Sequence, residues 1–286
     1  MESAAHAAWN NFEEFDLSAT LTKLNRVKAK NRARLANSEL TRAFLNSALA
    51  LSEFLFVEDA DTVPESGPPT FDYLSRPRIV LRAQVEFPHL SPTVAKFRDR
   101  WPSHHDFLDD FIAYAMLTLQ HSVQHALIAW SEALLGGGAD FATAVHRVAY
   151  EGAHLILGLP AYRLRLLSVA SASADHDVSD ALKRMYASLA DSWSDLYGRV
   201  AEVYGFTLRR GLSVQEFTII LQAVSEGLCV RLLAGLDEPL VNDETYESIL
   251  GKAALALFVS LVDNGDGLTI EQAANERFSG RGGRTT

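Results

Sequence analysis

Apolar residues recur at helical spacing along almost the whole chain. Long windows carry them at positions i, i+3, i+4 and i+7, as in Ser38–Phe56, where Leu40, Phe44, Leu45 and Ala48 share one face. No clear alternation with a period of two, the pattern of a half-buried strand, is found. Helices of this kind bury their apolar faces against one another. The sequence therefore predicts an all-α protein.

Length and composition favour two domains with buried cores, since the chain has 286 residues of which 48% are hydrophobic. Glu58–Phe71 is rich in proline and acids and predicts a loop. A Trp101-Pro102 corner lies just before a long helical window and predicts a joint between domains. We expect an N-terminal tail and basic extension over residues 1–36, a small helix-turn-helix-like domain over 37–103, a larger helical ligand-binding and dimerisation domain over 104–278, and a disordered tail over 279–286.

Cysteine content and hydropathy restrict the setting. Cys229 is the single cysteine, so an internal disulfide framework is excluded and a reducing cytoplasm is favoured. The longest clean apolar run, Ala253–Val262, is about half of the roughly 20 residues that a membrane-spanning helix needs. The N-terminus lacks the basic region and apolar core of a signal peptide. The sequence predicts a cytoplasmic protein with no membrane partner.

Charge is distributed unevenly. The net charge of −10 argues against a broad attraction to nucleic acid. One short region is nevertheless basic, with seven cations against the single acid Glu39: Lys23, Arg26, Lys28, Lys30, Arg32, Arg34 and Arg42. Two interpretations fit equally well, a local contact with DNA and a solvated, partly disordered arm.

The stretch LSPTVAKFRDRWPSHHDFL, from Leu90 to Leu108, suits a short helix followed by a sharp stop. Ser91 can cap this helix, with Pro92 at its first position. Phe97 and Trp101 would anchor it to a core. Its hydrogen-bond donors, at Thr93, Lys96, Arg98 and Arg100, suit the second helix of a helix-turn-helix, which lies in the major groove. An ordinary surface helix in a bundle is the alternative.

The segment FRDRWPSHHDFLDD resembles the end of the recognition helix in TetR-family transcriptional regulators. Phe97 stands in the place of the usual tyrosine and Trp101 in that of the usual phenylalanine or tryptophan. His104 takes the place of a lysine that often touches phosphate, and Ser91 that of the serine that opens the recognition helix. Ser91 lies ten residues before Trp101, about two more than is usual in the family. GFTLRRGLSVQEFTIILQAVSEGLCVRLL resembles the penultimate helix with the loop before it, and LPAYRLRLLS the short helix over the ligand pocket.

This resemblance implies a DNA-binding transcriptional regulator, a repressor whose affinity for its operator falls when a small molecule binds. The residues implied at the DNA are Ser91, Thr93, Lys96, Arg98, Arg100 and His104. The helices Ser213–Leu233 and Asp243–Val262 would pair with those of a second subunit in a homodimer. Taken alone, a stripe such as that of Ile249, Leu250, Ala253, Leu257 and Leu261 is more often monomer core than interface.

Aromatic and polar residues of the middle helices are candidates for an effector pocket. They are Gln120, His121, His125, Trp130, Tyr150, His154, Trp193 and Tyr197. Aromatic rings with a few polar groups suit a small, mostly apolar molecule, although core packing is the alternative for each residue. A dimeric helical small-molecule-binding protein of the same fold that has lost sequence-specific DNA binding is the second functional hypothesis.

Catalytic motifs are absent from the sequence. There is no Gly-x-Ser-x-Gly elbow, no P-loop and no GxGxxG. His121, His125 and Glu132 share a helix face, but no glutamate follows His121 as in a zincin. DNGDG at 263–267 fails the register of an EF-hand loop and predicts a turn. We expect no enzyme activity, no catalytic residue, no metal and no cofactor; a helical enzyme with a histidine or carboxylate metal site is the third hypothesis.

Overall fold

The computed structural model describes residues 15–25, 28–53, 74–136, 140–235 and 240–279, and it confirms the all-α class. Within these ranges the chain forms eleven α-helices, and its strands are confined to one two-stranded hairpin. The Pro-rich stretch 58–71, the tail 1–14, Gly137, Gly138 and the last seven residues lie outside the described ranges. No helix of the described part is long and apolar enough to cross a membrane.

The helices are numbered in chain order. The first four are short: α1 Ala29–Ala36, α2 Glu39–Glu53, α3 Arg76–Glu86 and α4 Val94–Arg98, with a 3-10 turn at Pro88–Leu90 between the last two. Five further helices follow: α5 His104–Leu135, α6 Phe141–Gly158, α7 Pro160–Ser171, α8 His176–Tyr204 and α9 Val214–Leu233. A hairpin of β1 Val241–Asn242 and β2 Glu247–Ser248 precedes α10 Ile249–Leu261 and α11 Ile270–Ser279.

The chain divides into two compact units. The first comprises Met1–Ser122 and Gly158–Tyr186, and the second Val123–Leu157 and Ala187–Thr286. This division differs from the boundary that the sequence predicts near residue 103. The reason is that the start of α5 belongs to the small helices before it: Phe107 of α5 lies 4.8 Å from Phe97 and 5.0 Å from Trp101, between ring centroids.

Aromatic side chains form the core of the first unit. The rings of Phe44, Phe97, Trp101, Phe107 and Phe111 are fully buried and contact one another in series. They come from α2, from α4 and the residues after it, and from α5. Because each ring buries a large area and packs in a defined geometry, this core fixes α4 rigidly.

Residues 15–25, which we call the N-terminal strap, are not helical, so α1 is the helical part of the predicted basic extension that the structure describes. Leu17, Leu21 and Leu24 of the strap are buried. Several of its amides bond to side chains elsewhere: the Thr22 and Lys23 amides donate to Asp110 Oδ1 at 2.8 and 3.0 Å. Long-range polar partners therefore replace the helical ladder, and a local pattern cannot predict them.

The second unit has its core between α5, α6, α8, α9 and α10. Ser213 opens α9 with a capping box, as its side chain accepts from the Glu216 amide and its own amide donates to Glu216. The predicted helix Asp243–Val262 begins six residues late, at Ile249, because Ser248 caps it by accepting from the Gly251 amide. Residues 243–246 form the hairpin turn instead.

The DNGDG segment is the turn that the sequence predicts. Asp263 Oδ1 accepts from the amides of Gly265, Asp266 and Gly267, at 3.0 to 3.2 Å. The Asp266 carboxylate accepts two bonds from Arg209 Nη1. Both carboxylates are thus occupied within the protein. Helix α11, which the sequence did not predict, follows this turn.

Candidate nucleic-acid interface and ligand pocket

Helices α3 and α4 with the turn between them have the connectivity of a helix-turn-helix. Gln84 Nε2 of α3 donates to the Pro92 carbonyl at 2.8 Å and ties the turn to the first helix. Lys96 Nζ of α4 donates to the carbonyls of Leu90 and Ser91, at 3.0 and 2.9 Å. These bonds fix the turn from both sides.

Thr93, not Ser91, caps α4. The Thr93 side chain accepts from the Lys96 amide at 3.2 Å, whereas Ser91 lies before the helix in the left-handed region, with φ 48°. The predicted role of Ser91 as the cap is therefore wrong. Thr93 lies eight residues before Trp101, so the two-residue excess counted from Ser91 disappears.

Arg100 is buried and serves the packing of the first unit. Its Nε donates to Thr41 Oγ1 at 2.9 Å and its Nη1 to the Lys96 carbonyl at 2.8 Å, and its guanidinium lies 5.9 Å from the Phe44 ring. Burial lowers the pKa of Arg100. The prediction that Arg100 contacts DNA is wrong because its donors are already used inside the protein.

His104 is likewise unsuited to hold a phosphate. Its ring is half-buried and stacks on Phe107, with centroids 5.8 Å apart. Burial, and then the charge of Arg76, lower the pKa of His104. Both effects disfavour the cationic imidazole that would replace the lysine at a phosphate.

The other candidates remain at the surface. Ser91, Thr93 and Arg98 are exposed and Lys96 is half-exposed. Arg98 forms no ion pair in the part of the chain that the structure describes. Val94 and Ala95, in the first turn of α4, are also exposed. The exposed side of α4 thus combines basic, hydroxyl and small apolar side chains.

Three of the predicted ligand residues form an aromatic stack. In the second unit Trp130, Trp193 and Tyr197 stack in series, with centroids 5.9 and 5.4 Å apart. Trp130 Nε1 donates to Glu151 at 3.1 Å, and burial raises the pKa of Tyr197. These three side chains pack in and against the core of the second unit.

Tyr150 and His154 lie at the surface of the second unit, beside the hairpin. The Tyr150 hydroxyl donates to Asp243 at 2.9 Å. The centroids of the Tyr150 and His154 rings lie 4.2 Å apart. The Tyr246 ring meets Tyr150 edge-on at 5.3 Å. This cluster fastens the hairpin to α6.

The remaining candidates lie on α5. In the first unit the His121 ring stacks on Phe15 at 3.8 Å, and burial lowers its pKa, while Gln120 is half-buried. In the second unit His125 is exposed. Among the described residues no group of three histidine, cysteine or acidic side chains could hold a metal ion.

A small apolar cleft in the second unit contains none of the predicted residues. It has an empty volume of about 240 Å³, part of it open to solvent. It lies between α6, α9, the hairpin and α10, and its lining includes Leu228, Cys229, Leu232, Val241, Ser248 and Ile249. Sequence reasoning missed it because ordinary apolar residues line it, and only the unpredicted hairpin brings them together.

Comparison of the chain with models of protein families, with curated proteins and with solved structures finds no match in any of the three.

Proposed function

We propose that this protein is a TetR-like transcriptional repressor, which binds DNA as a homodimer and responds to a small apolar ligand. The observation that carries the proposal is the arrangement of α3, the fastened turn and α4, with Thr93 as the cap. A recognition helix of this motif presents its N-terminal residues to base edges in the major groove. The cap at Thr93 also gives this segment the spacing to Trp101 that is usual in the resembling family.

The exposed side chains of α4 have roles that suit DNA. Arg98 can form bidentate bonds to guanine or bind a phosphate. Val94 and Ala95 can contact the methyl group of thymine. Lys96 already donates to two carbonyls of the turn, so it adds positive charge beside the groove. The aromatic core below α4 supports these contacts, because a rigid element positions a binding site precisely.

Exposed apolar and small side chains support dimerisation through α9 and α10. On α9 Ile219 is 52% exposed and Val230 43%, with Ala223 and Gly227 at helical spacing between them. On α10 Val259 is 73% exposed. Small residues between large apolar ones allow close approach of helices. This interface differs from the stripe that the sequence suggested, because Leu261 of that stripe is buried and Leu250, Ala253 and Leu257 are half-buried.

The apolar cleft supports the ligand part of the proposal. Its lining suits an apolar molecule at the small end of the usual size range, since pockets for drug-sized ligands are roughly 300–1,000 Å³. A ligand would lower operator affinity only if it bound better to the conformation that is less able to bind DNA.

Selection from a pool of random-sequence duplexes of about 30 base pairs tests the proposal. We expect the bound fraction to become enriched in a palindromic motif whose half-sites lie about one helical turn, or a multiple of it, apart. Bound duplexes without a shared motif, or no binding at low salt, would contradict it.

The second candidate is a helical small-molecule-binding protein without DNA recognition. It is favoured by the burial of Arg100, whose side chain donates to Thr41 inside the first unit. The same selection separates the two functions, because this candidate predicts no enrichment.

A further inference from the structure

We propose that α1, the basic helix, is a second nucleic-acid contact that binds the phosphate backbone of the duplex seated on α4. The inference rests on the proposed function only in that α1 and α4 contact the same DNA duplex. This contact binds backbone phosphates whatever the base sequence, so it supplies affinity, whereas α4 supplies sequence selectivity.

The basic helix and its N-cap residue together carry four cations and no acid over residues 28–36. Lys28, Lys30 and Arg34 are exposed and Arg32 is half-exposed. None of the four forms an ion pair within the described ranges. In a chain of net charge −10 such a free basic surface is exceptional, and it is complementary to a polyanion.

Two other cations of the basic run are used inside the first unit. Lys23 Nζ bonds to Asp177 Oδ2 at 2.6 Å. Arg42 Nη2 donates to the Phe15 carbonyl and to Asn37 Oδ1. The structure thus separates the cations that hold the strap in place from the four that face solvent.

The strap fastens both ends of the basic helix. Before the helix, the Asn25 amide donates to the Arg100 carbonyl at 2.7 Å, and its side chain donates to the Asp99 carbonyl at 3.2 Å. After the helix, Asn37 Oδ1 accepts from the Leu17 amide at 2.8 Å. These bonds are needed because α1 buries only Ala36 and is too short to be stable by itself.

This fastening places the basic helix beside α4. Asp99 and Arg100 directly follow α4, and Lys28 is three residues from Asn25 along the chain. The Cα atoms of Lys28 and Asn25 are therefore no more than about 11 Å apart. Duplex DNA carries one charge per roughly 1.7 Å of its axis, so a duplex on α4 presents phosphates within reach of lysine side chains at this distance.

A membrane surface is a poorer partner for this helix. Helices that lie in a membrane interface carry a wide apolar face opposite the basic one. The one large apolar residue of α1 is Leu35, which is half-buried within its own unit. A polar helix with four cations suits phosphates in water.

The test compares two variants with the same change in net charge. In the first, Lys28→Gln, Lys30→Gln, Arg32→Gln and Arg34→Gln are combined. In the matched control, four exposed cations of other helices are replaced: Lys183→Gln, Arg184→Gln, Arg199→Gln and Lys252→Gln. Circular dichroism confirms folding, and fluorescence anisotropy measures binding to a random-sequence duplex of about 30 base pairs, between about 50 and 200 mM salt.

We expect the first variant to reduce the slope of log affinity against log salt by about 3 to 4, since each phosphate contact contributes about 0.9. Wild type then loses about a hundredfold more affinity over this salt range than the variant does. The control should keep the wild-type slope. Exchanging lysine and arginine at the four positions (Lys28→Arg, Lys30→Arg, Arg32→Lys and Arg34→Lys) should restore it, because only the charge is used.

Three results would overturn the inference: equal slopes in wild type and the first variant, equal losses in the first variant and the control, or charge-dependent binding to phosphatidylserine vesicles but not to DNA. Failure of the proposed function is recognised separately. Arg98→Ala without effect on sequence preference, together with a reduced slope in the first variant, leaves the basic helix as a DNA contact and rejects α4 as the reader.

Discussion

Arg98 and Arg100 are two residues apart, but burial gives them different roles. Arg98 is exposed, whereas Arg100 is 9% exposed and donates to Thr41 and to the Lys96 carbonyl. The sequence predicted that both would donate to DNA. It could not predict that one would point into the unit, since that depends on the position of α2.

This difference predicts different effects on stability. Arg100→Ala leaves Thr41 without its donor and opens a cavity beside Phe44, so the free energy of unfolding should fall by about 2–4 kcal/mol. Arg98→Ala should change it by no more than about 0.5 kcal/mol. Urea denaturation measures both, and equal effects would contradict the assigned roles.

Asp110 holds the strap and titrates near neutral pH. It accepts from the Thr22 and Lys23 amides and from Trp101 Nε1, but burial outweighs these bonds and raises its pKa to about 6. At pH values between the unfolded pKa of 3.8 and the folded pKa of about 6, Asp110 is therefore protonated in the native state and ionised in the unfolded state. The contribution of Asp110 to stability is present below this window and is lost as the pH rises through it.

Asp110→Asn isolates this effect. The difference in unfolding free energy between wild type and the variant should fall by about 2 kcal/mol as the pH rises from about 4 to about 6. Urea denaturation at several pH values measures it, and other titrating groups cancel in the difference. A difference that does not vary with pH would reject the raised pKa.

Helix periodicity predicted most helices and their order. The ends of the helices depended on contacts between residues that are distant in sequence. Ser91 and Thr93 are both good capping residues, and only the bonds around the turn select Thr93. The hairpin shortened the predicted last helix because Ser248 caps α10. These choices depend on tertiary contacts, which a local pattern does not contain.

The packing of α10 on α6 requires a glycine. A Cβ at Gly251 would overlap His146 Nδ1 and lie 3.0 Å from the His146 Cα, which is backbone and cannot move freely. Gly251→Ala should lower the unfolding free energy by about 1–3 kcal/mol. Gly198→Ala is the matched control in helix α8, since a Cβ there meets nothing within 4 Å, and it should stabilise by up to about 1 kcal/mol. Thermal or urea unfolding that ranks the two in the opposite order would reject this packing.

The sequence predicted the all-α class of the whole molecule from composition and periodicity, but it predicted only part of the candidate DNA-binding and ligand-binding sites. Residue types predicted a basic short helix, and Thr93, Lys96 and Arg98 are indeed at the surface. The predicted ligand residues were aromatic and attractive for a pocket, but aromatic rings also pack cores, as Trp130 and Trp193 do. Distinguishing these uses requires the fold.

Dimerisation should depend on the exposed stripes of α9 and α10. Ile219→Glu combined with Val259→Glu would bury charges in the proposed interface, so the dimer dissociation constant should rise at least about a hundredfold. Ile128→Glu is the matched control, because Ile128 is 63% exposed on α5. Sedimentation velocity measures the change, and a monomeric wild type would contradict the proposal.

The most direct test of the central claim is the affinity of wild type and Arg98→Ala for a duplex enriched by selection and for its scrambled counterpart, at one fixed salt concentration. Arg184→Ala, at another exposed arginine, is the control. If α4 reads DNA, wild type and the control prefer the enriched duplex, and Arg98→Ala loses about 1–3 kcal/mol of that preference. An unchanged preference in Arg98→Ala, or none in wild type, would contradict the claim that α4 is a recognition helix.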